Sequence, residues 1–156
     1  MIIERGKKGF TLIEMLIVLI IIAVLAVVVL PRIMNARRKA KDDATRQTMA
    51  ELDTAVENFE ADVGCYPVAV SDLLVAPGGA YSGKGVVGAA VGDVVVSDAT
   101  DLWRGPYFKT TGTTITVIAD PAASWTIKYD SLTTLGKVKI TGSTKKGMDG
   151  NYYTDW

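Results

Sequence analysis

The hydrophobic pattern divides the chain into two parts, and the first is an unbroken apolar run over residues 10–30. Thr11 and Glu14 are the only polar side chains among those 21 residues. At about 1.5 Å per residue, a helix of that length extends about 31 Å, close to the bilayer hydrocarbon thickness of about 30 Å. The run is therefore long enough to span a membrane. It is too long for a cleaved secretory signal, and no A-x-A type site follows it.

After Pro31 the helical period continues, but the pattern becomes amphipathic. Gly64 then supplies a stop signal, so we expect one helix over residues 11–63 whose second half packs on a soluble domain. Pro31 lacks an amide hydrogen and crowds the preceding turn, so we expect a kink or a loosened turn there. The apolar side chains that recur at three- and four-residue spacing are Met49, Leu52, Val56, Phe59 and Val63.

Beyond Gly64 the chain consists of short segments rich in β-branched and aromatic residues, separated by Gly, Pro, Ser and Asp. The pattern predicts an irregular region over residues 67–107, within which residues 78–92 form an exposed loop or a weak hairpin. The predicted strands are 113–118, 125–129 and 137–141. The predicted fold class is α+β: a long N-terminal α-helix, the first half of it transmembrane, packed on a small C-terminal antiparallel β-sheet.

Formal net charge is zero, but the charges are arranged in blocks. Residues 1–9 carry three bases against one acid, residues 32–46 carry six against two, and residues 47–156 carry eight bases against 13 acids. Bases flank both ends of the apolar run, so the positive-inside rule leaves the orientation of an anchor open. The acidic balance of residues 47–156 argues against a nucleic-acid partner. The bases of residues 32–46 favour a solvated face that pairs with acids of neighbouring molecules over contact with lipid phosphates or DNA.

Glu14 is the residue of the apolar run that most needs an explanation. A carboxylate costs several kcal/mol in apolar surroundings unless it is neutralised or paired. One explanation is therefore a functional pairing. The other is that Glu14, only five residues into the run, lies close enough to the membrane surface for its carboxylate to reach water.

The chain has no histidine and a single cysteine, Cys65. The missing histidine excludes a Ser-His or Cys-His nucleophile pair, a His-ligated zinc and a His general base. The sequence also has no paired-carboxylate motif and no phosphate-binding loop, so we expect a structural protein rather than an enzyme. Cys65 cannot form a disulfide within the chain. We expect it to be a small buried apolar residue, with intermolecular pairing or lipidation as the alternatives.

Residues 7–14, Lys-Lys-Gly-Phe-Thr-Leu-Ile-Glu, resemble the processing site of type IV prepilins and type II secretion pseudopilins. The resemblance implies a leader over residues 1–9, cleavage by a prepilin peptidase between Gly9 and Phe10, and N-methylation of the new Phe10 amine. Members of this family also place a proline just past the apolar run, where Pro31 stands. A free amine at Phe10 is a suitable partner for the Glu14 carboxylate of a neighbouring subunit. We expect this pair to set the axial register, while packing of the apolar faces supplies the cohesion.

Several strings in the rest of the chain are similar to the succession in major pseudopilins of type II secretion systems: residues 62–67, 73–74, 103–107, 120–121 and 125–129. The resemblance implies a pseudopilus subunit that polymerises with copies of itself and with minor pseudopilins. It also implies that a prepilin peptidase and an inner-membrane assembly platform act on this subunit. The alternative is a major or minor pilin of a type IV pilus, acting in adhesion, motility or DNA uptake. Many of those pilins close a C-terminal loop with two cysteines, which this chain lacks.

The same resemblance implies three segments and a location. Residues 1–9 are the leader, residues 10–30 are a single-pass anchor in the inner membrane, and residues 31–156 are a domain outside the cytoplasm. The anchor contacts membrane lipid before assembly and forms the filament core afterwards. The assembled subunit is then part of a periplasmic or extracellular filament.

The C-terminal segment raises the question of a metal. Residues 147–150 and 154–156 are similar to the tail that folds around a calcium ion in major pseudopilins, which implies calcium held by Asp149 and Asp155. That family tail has adjacent acidic residues where this chain has residues 151–153, Asn-Tyr-Tyr. Calcium takes six to eight oxygen ligands, so two aspartates are a thin set. The alternative is that both aspartates lie in surface turns.

Overall fold

The computed structural model describes residues 9–87, 90–110, 115–129, 131 and 133–156. The chain divides into two compact units, one up to Arg38 and the other from Lys39 to Trp156. The elements in chain order are α1 (Leu12–Val63), a 3-10 helix (Val70–Leu73), β1 (Tyr81–Val87), β2 (Ala90–Val96), α2 (Ala99–Leu102), β3 (Ser124–Ile127), β4 (Val138–Thr141) and a second 3-10 helix (Tyr153–Asp155).

In the first unit, α1 has no protein core to pack on. Every residue from Gly9 to Arg38 is exposed except Ala26, which is half-buried. By length and composition, this part of α1 can cross a membrane. Its leucine, isoleucine and valine side chains therefore need lipid or other protein as a neighbour.

In the second unit, α1 lays an apolar stripe along the core. The predicted stripe is confirmed: Leu52, Val56, Phe59 and Val63 are buried, and Met49 packs against them. The helix ends where the sequence predicts, because Gly64 adopts a φ of 84° and its N–H donates to the carbonyl of Glu60 at 2.8 Å.

Two small antiparallel sheets supply the rest of the core. β1 pairs with β2, with Tyr81 opposite Val96, and β3 pairs with β4, with Trp125 opposite Ile140. On β3 and β4 the buried side chains alternate, as expected for strands with one face on the core. The predicted strands at residues 125–129 and 137–141 are therefore confirmed with slightly different bounds.

Two sequence-based expectations differ from the structure. Residues 115–118 form no strand, and the rest of the predicted strand, residues 113–114, lies outside the described residues. Directly after this segment, the N–H of Ala119 donates to Thr45 Oγ1 on α1 at 2.9 Å, which ties the chain to the helix. The region 67–107 is more regular than expected, because it contains β1 and β2. Of the two alternatives for residues 78–92, the hairpin is the correct one.

Polar side chains of α1 attach the loops of the domain to the helix. Asp53 Oδ1 accepts a hydrogen bond from the Val138 N–H at 2.7 Å. Further along the helix, the Tyr107 hydroxyl donates to Asp62 Oδ2 at 2.8 Å. Different turns of one helix thus position segments that are far apart in sequence. The predicted α+β class, a long N-terminal helix with a small antiparallel β region, is confirmed.

Candidate functional site

The first candidate site is the start of α1, where the predicted processing residues lie. Gly9 and Phe10 precede the helix and are exposed, with 81% of Phe10 accessible. A peptide bond between two exposed residues just ahead of a helix is accessible to a protease. Except for Gly9, the predicted leader lies outside the described residues.

Glu14 is held by its own chain through a capping box, which our interpretation of the sequence missed. Thr11 precedes α1, and its Oγ1 accepts a hydrogen bond from the Glu14 N–H at 3.3 Å. In return, Glu14 Oε2 accepts hydrogen bonds from the Thr11 N–H and hydroxyl, both at 2.8 Å. The signal that would have revealed it is the spacing Thr-x-x-Glu directly ahead of an apolar run.

Only one oxygen of the Glu14 carboxylate takes part in this cap. Both Thr11 donors reach Oε2, and Oε1 has no hydrogen-bond partner among the residues that the structure describes. The exposed carboxylate can therefore accept one more donor without giving up its local bonds.

Pro31 lies inside α1, which is helical on both sides of it. The proline nitrogen carries no hydrogen, so α1 lacks one backbone hydrogen bond in this turn. The kink at Pro31 remains a prediction.

The second candidate site is the C-terminal segment, residues 145–156, where it meets α1. Asp42, on α1, is buried, and its two oxygens accept hydrogen bonds from the Met148 N–H and the Tyr153 hydroxyl, both at 2.7 Å. One turn further along α1, Arg46 pairs with Asp149. Our interpretation of the sequence missed Asp42 and Arg46, although Asp42 lies seven residues before Met49 and so continues the buried stripe.

Asp149 is engaged on both of its oxygens. Its Oδ2 accepts from Arg46, and its Oδ1 accepts from the Asn151 N–H at 3.0 Å. Desolvation raises the pKa of Asp149, but the Asn151 N–H and the Arg46 guanidinium outweigh it and hold the pKa below its ordinary value. Asp155 is exposed in the 3-10 helix Tyr153–Asp155.

These residues do not fit the calcium site that the pseudopilin tail implies. One of the two carboxylates is paired with a guanidinium, and calcium requires six to eight oxygens. Among the residues that the structure describes, no group of three or more His, Cys, Asp or Glu side chains is arranged to hold a metal.

Cys65 behaves as the sequence predicts. It is buried in the core with 1% of its surface accessible, and burial raises the pKa of its thiol. A buried, protonated thiol is a poor nucleophile, so this side chain acts as a small apolar residue.

Comparison with known proteins agrees with the N-terminal motif. Residues 5–30 match the model of the prokaryotic N-terminal methylation motif. The chain is 33% identical over 98 residues to the type IV major pilin protein PilA of Myxococcus xanthus, which covers 62% of this chain and 44% of that protein. It is 40% identical over 62 residues to the type IV wide pilus major component PilA4 of Thermus thermophilus, which covers 40% of this chain and 47% of that protein.

A second group of similar proteins is named after the type II secretion system. Its core protein G from Xanthomonas campestris is 29% identical over 106 residues, which covers 68% of this chain and 60% of that protein. The chain thus spans about half the length of the curated relatives it matches. No solved structure matches it. The resemblance stated from the processing site is confirmed: this chain carries the prokaryotic N-terminal methylation motif, and its relatives are type IV pilins and type II secretion system core protein G.

Proposed function

We propose that this protein is a structural subunit of a type II secretion pseudopilus. It is inserted in the inner membrane as a prepilin, cut between Gly9 and Phe10, methylated on the Phe10 amine, and polymerised through residues 10–30. It is a substrate of prepilin peptidase and not an enzyme. The observation that carries the proposal is that the methylation motif coincides with a helical segment whose apolar side chains are exposed.

The exposed apolar segment suits a subunit that moves from bilayer to filament. Lipid tails are about as apolar as leucine, so this transfer gains little hydrophobic free energy. Close packing of helix faces and polar contacts must then decide whether and in which register subunits associate. Glu14 is the one ionisable side chain available for such a contact within residues 10–30.

Glu14 pairs with the Phe10 amine of the next subunit in this proposal. The geometry supports it, because the Thr11 donors use Oε2 and Oε1 has no hydrogen-bond partner in the described part of the chain. A charge-assisted bond at Oε1 is strong in apolar surroundings. Each subunit in the growing filament thereby presents a specific acceptor to the next.

Assembly of Glu14 variants tests the pairing, and the capping box dictates which variants to compare. Glu14→Ala removes both the charge and the cap, whereas Glu14→Gln removes the charge and keeps a cap acceptor. We expect both variants to be processed and inserted, and both to form few filaments in sheared or cross-linked fractions. Normal filament yield from Glu14→Gln would refute the charge pairing and leave only a capping role.

Processing is tested by intact and N-terminal mass spectrometry on protein from its native membrane. We expect a chain that begins at methylated Phe10. A chain that still begins at Met1 in cells with an active prepilin peptidase would refute the prepilin pathway. The same sample, treated with protease from the periplasmic side, should lose the domain of residues 31–156 if that domain lies outside the cytoplasm.

A type IV pilus subunit is the second candidate function, favoured by the two relatives that are named as pilins. In either case the partners are copies of the chain, related minor subunits, prepilin peptidase and an inner-membrane assembly platform. Deletion of the gene separates the two candidates. Loss of secreted proteins with surface pili retained supports the pseudopilus, and loss of surface pili with secretion intact supports the pilus.

A further inference from the structure

Side chains of α1 attach the C-terminal segment of residues 145–156 to the helix. Asp42 and Arg46 are four residues apart on α1 and therefore lie on the same face, one turn from each other. Asp42 accepts hydrogen bonds from the Met148 N–H and the Tyr153 hydroxyl. Arg46 forms an ion pair with the Asp149 carboxylate. We call these three attachments the Asp42–Arg46 clasp.

Arg46 makes a second contact that a simple surface ion pair lacks. Its guanidinium carbon lies 3.8 Å from the centre of the Trp156 ring, which is the geometry of a cation–π contact. The Trp156 ring in turn meets Tyr153 edge to face, with centroids 4.8 Å apart. The indole nitrogen of Trp156 is buried and has no hydrogen-bond partner among the described residues, so ring contacts fix its position.

Gly147 makes this close arrangement possible. A Cβ at residue 147 would overlap the Trp156 ring and would lie 3.0 Å from Asp149 Oδ1. Gly147 is the first residue of the segment that is similar to the family's calcium-binding tail. Because it has no side chain, an aromatic ring and a carboxylate can both lie close to Arg46 here.

We propose that Arg46 replaces calcium in this protein: its guanidinium closes the C-terminal segment where the similar pseudopilin tail closes around a metal ion. A divalent cation at Asp149 would have to displace the guanidinium or lie beside a like charge. Arg46 also supplies what a metal ion does not, a planar cation that binds a carboxylate and stacks on an aromatic ring. The attachment of the segment is therefore independent of calcium.

Thermal unfolding of the full chain in detergent micelles tests this. We expect the same Tm, within about 1 °C, in excess EGTA and in millimolar calcium chloride. We expect Arg46→Gln to lower the Tm by roughly 2–6 °C in both conditions, and Arg46→Lys, which keeps the charge without the planar fork, to lower it less. Lys39→Gln is the matched control, because Lys39 is an exposed base on the same helix.

Hydrogen exchange of residues 145–156 gives a local measurement that does not depend on global unfolding. We expect faster exchange of the Met148 amide in Arg46→Gln than in Lys39→Gln, with no protection restored by calcium. The inference would be overturned by a wild-type Tm that falls in EGTA and recovers with calcium, by stoichiometric calcium in the purified protein, or by an Arg46→Gln variant identical to the control. These measurements use unassembled subunits, so their outcome is separate from that of the filament proposal.

Discussion

Replacement of Asp42 should destabilise the domain far more than its polar character suggests. Asp42 is 6% exposed, and each of its oxygens accepts one hydrogen bond at 2.7 Å from the C-terminal segment. A hydrogen bond to a charged group contributes about 1.5–3 kcal/mol net, and part of the loss of two is offset because no charge stays buried. We therefore expect Asp42→Ala to lower the free energy of unfolding by about 2–4 kcal/mol.

The assay is equilibrium unfolding of the full chain in micelles, followed by tryptophan fluorescence because Trp156 lies against the clasp. Asp43→Ala is the control, since Asp43 is the exposed neighbour and its loss should change stability by less than about 0.5 kcal/mol.

A double-mutant cycle isolates the contact itself. Tyr153→Phe removes only the hydroxyl that donates to Asp42. If the contact stabilises the fold as the structure indicates, the combined loss in Asp42→Ala with Tyr153→Phe should fall short of the sum of the single losses by about 1–2 kcal/mol. Losses that add within about 0.3–0.5 kcal/mol would show that the two groups act independently and would refute the reasoning.

Three further predictions concern the core and the loops. Gly136→Ala should lower the free energy of unfolding by about 2–4 kcal/mol, because φ is 78° and a Cβ would overlap the Tyr66 ring. Gly142→Ala has the same φ but open space around the Cβ, so it should lower the free energy of unfolding by only about 1–2 kcal/mol. Phe59→Ala should cost about 3–5 kcal/mol by urea unfolding, because Phe59 is fully buried, whereas Phe59→Leu should cost less. The hydrogen bond from a lysine ammonium lowers the pKa of Asp120 in the folded protein. The contribution of ionised Asp120 to the free energy of unfolding should therefore be complete above the unfolded pKa of about 4, and it should be lost as the pH falls through the lower folded pKa. Asp120→Asn should remove this part of the acid dependence, and an unchanged acid profile would contradict it.

The apolar stripe of α1 was predictable because burial along a helix follows its period. Met49, Leu52 and Val56 occupy the core side for no reason beyond their spacing and apolar character. Asp42 and Thr45 lie on the same stripe and are buried too, yet polar residues are assigned to the surface when only the local sequence is considered. Their burial depends on donors that lie 74 to 111 residues away in the chain, and no local pattern indicates those partners.

The hairpin of β1 and β2 was less predictable because glycines dilute its strand pattern. Gly83, for example, is required by a close contact that the sequence alone does not reveal. A Cβ there would lie 2.5 Å from both Cys65 Sγ and the Tyr66 carbonyl oxygen, so only glycine lets β1 approach the segment after α1. The predicted strand at 113–118 fails for the converse reason in its described part. β-Branched residues suit a strand, but directly after this segment Ala119 donates its N–H to Thr45 on α1, so the chain is held to the helix here and not to another strand.

The predicted N-terminal processing site differs from these cases because a peptidase reads local sequence, so the motif that predicts it is complete without any tertiary partner. The proposed role of Glu14 depends on the structure, because a carboxylate that caps its own helix is available to another subunit only if one oxygen stays unused. A cap of this kind contributes about 0.5–2 kcal/mol, and an amine that displaced it would forfeit that amount. Because the Thr11 donors both use Oε2, an amine at Oε1 adds its attraction to the cap and does not compete with it. The arrangement thus orients the carboxylate before assembly, and this preorganisation lowers the entropic cost of the proposed pairing.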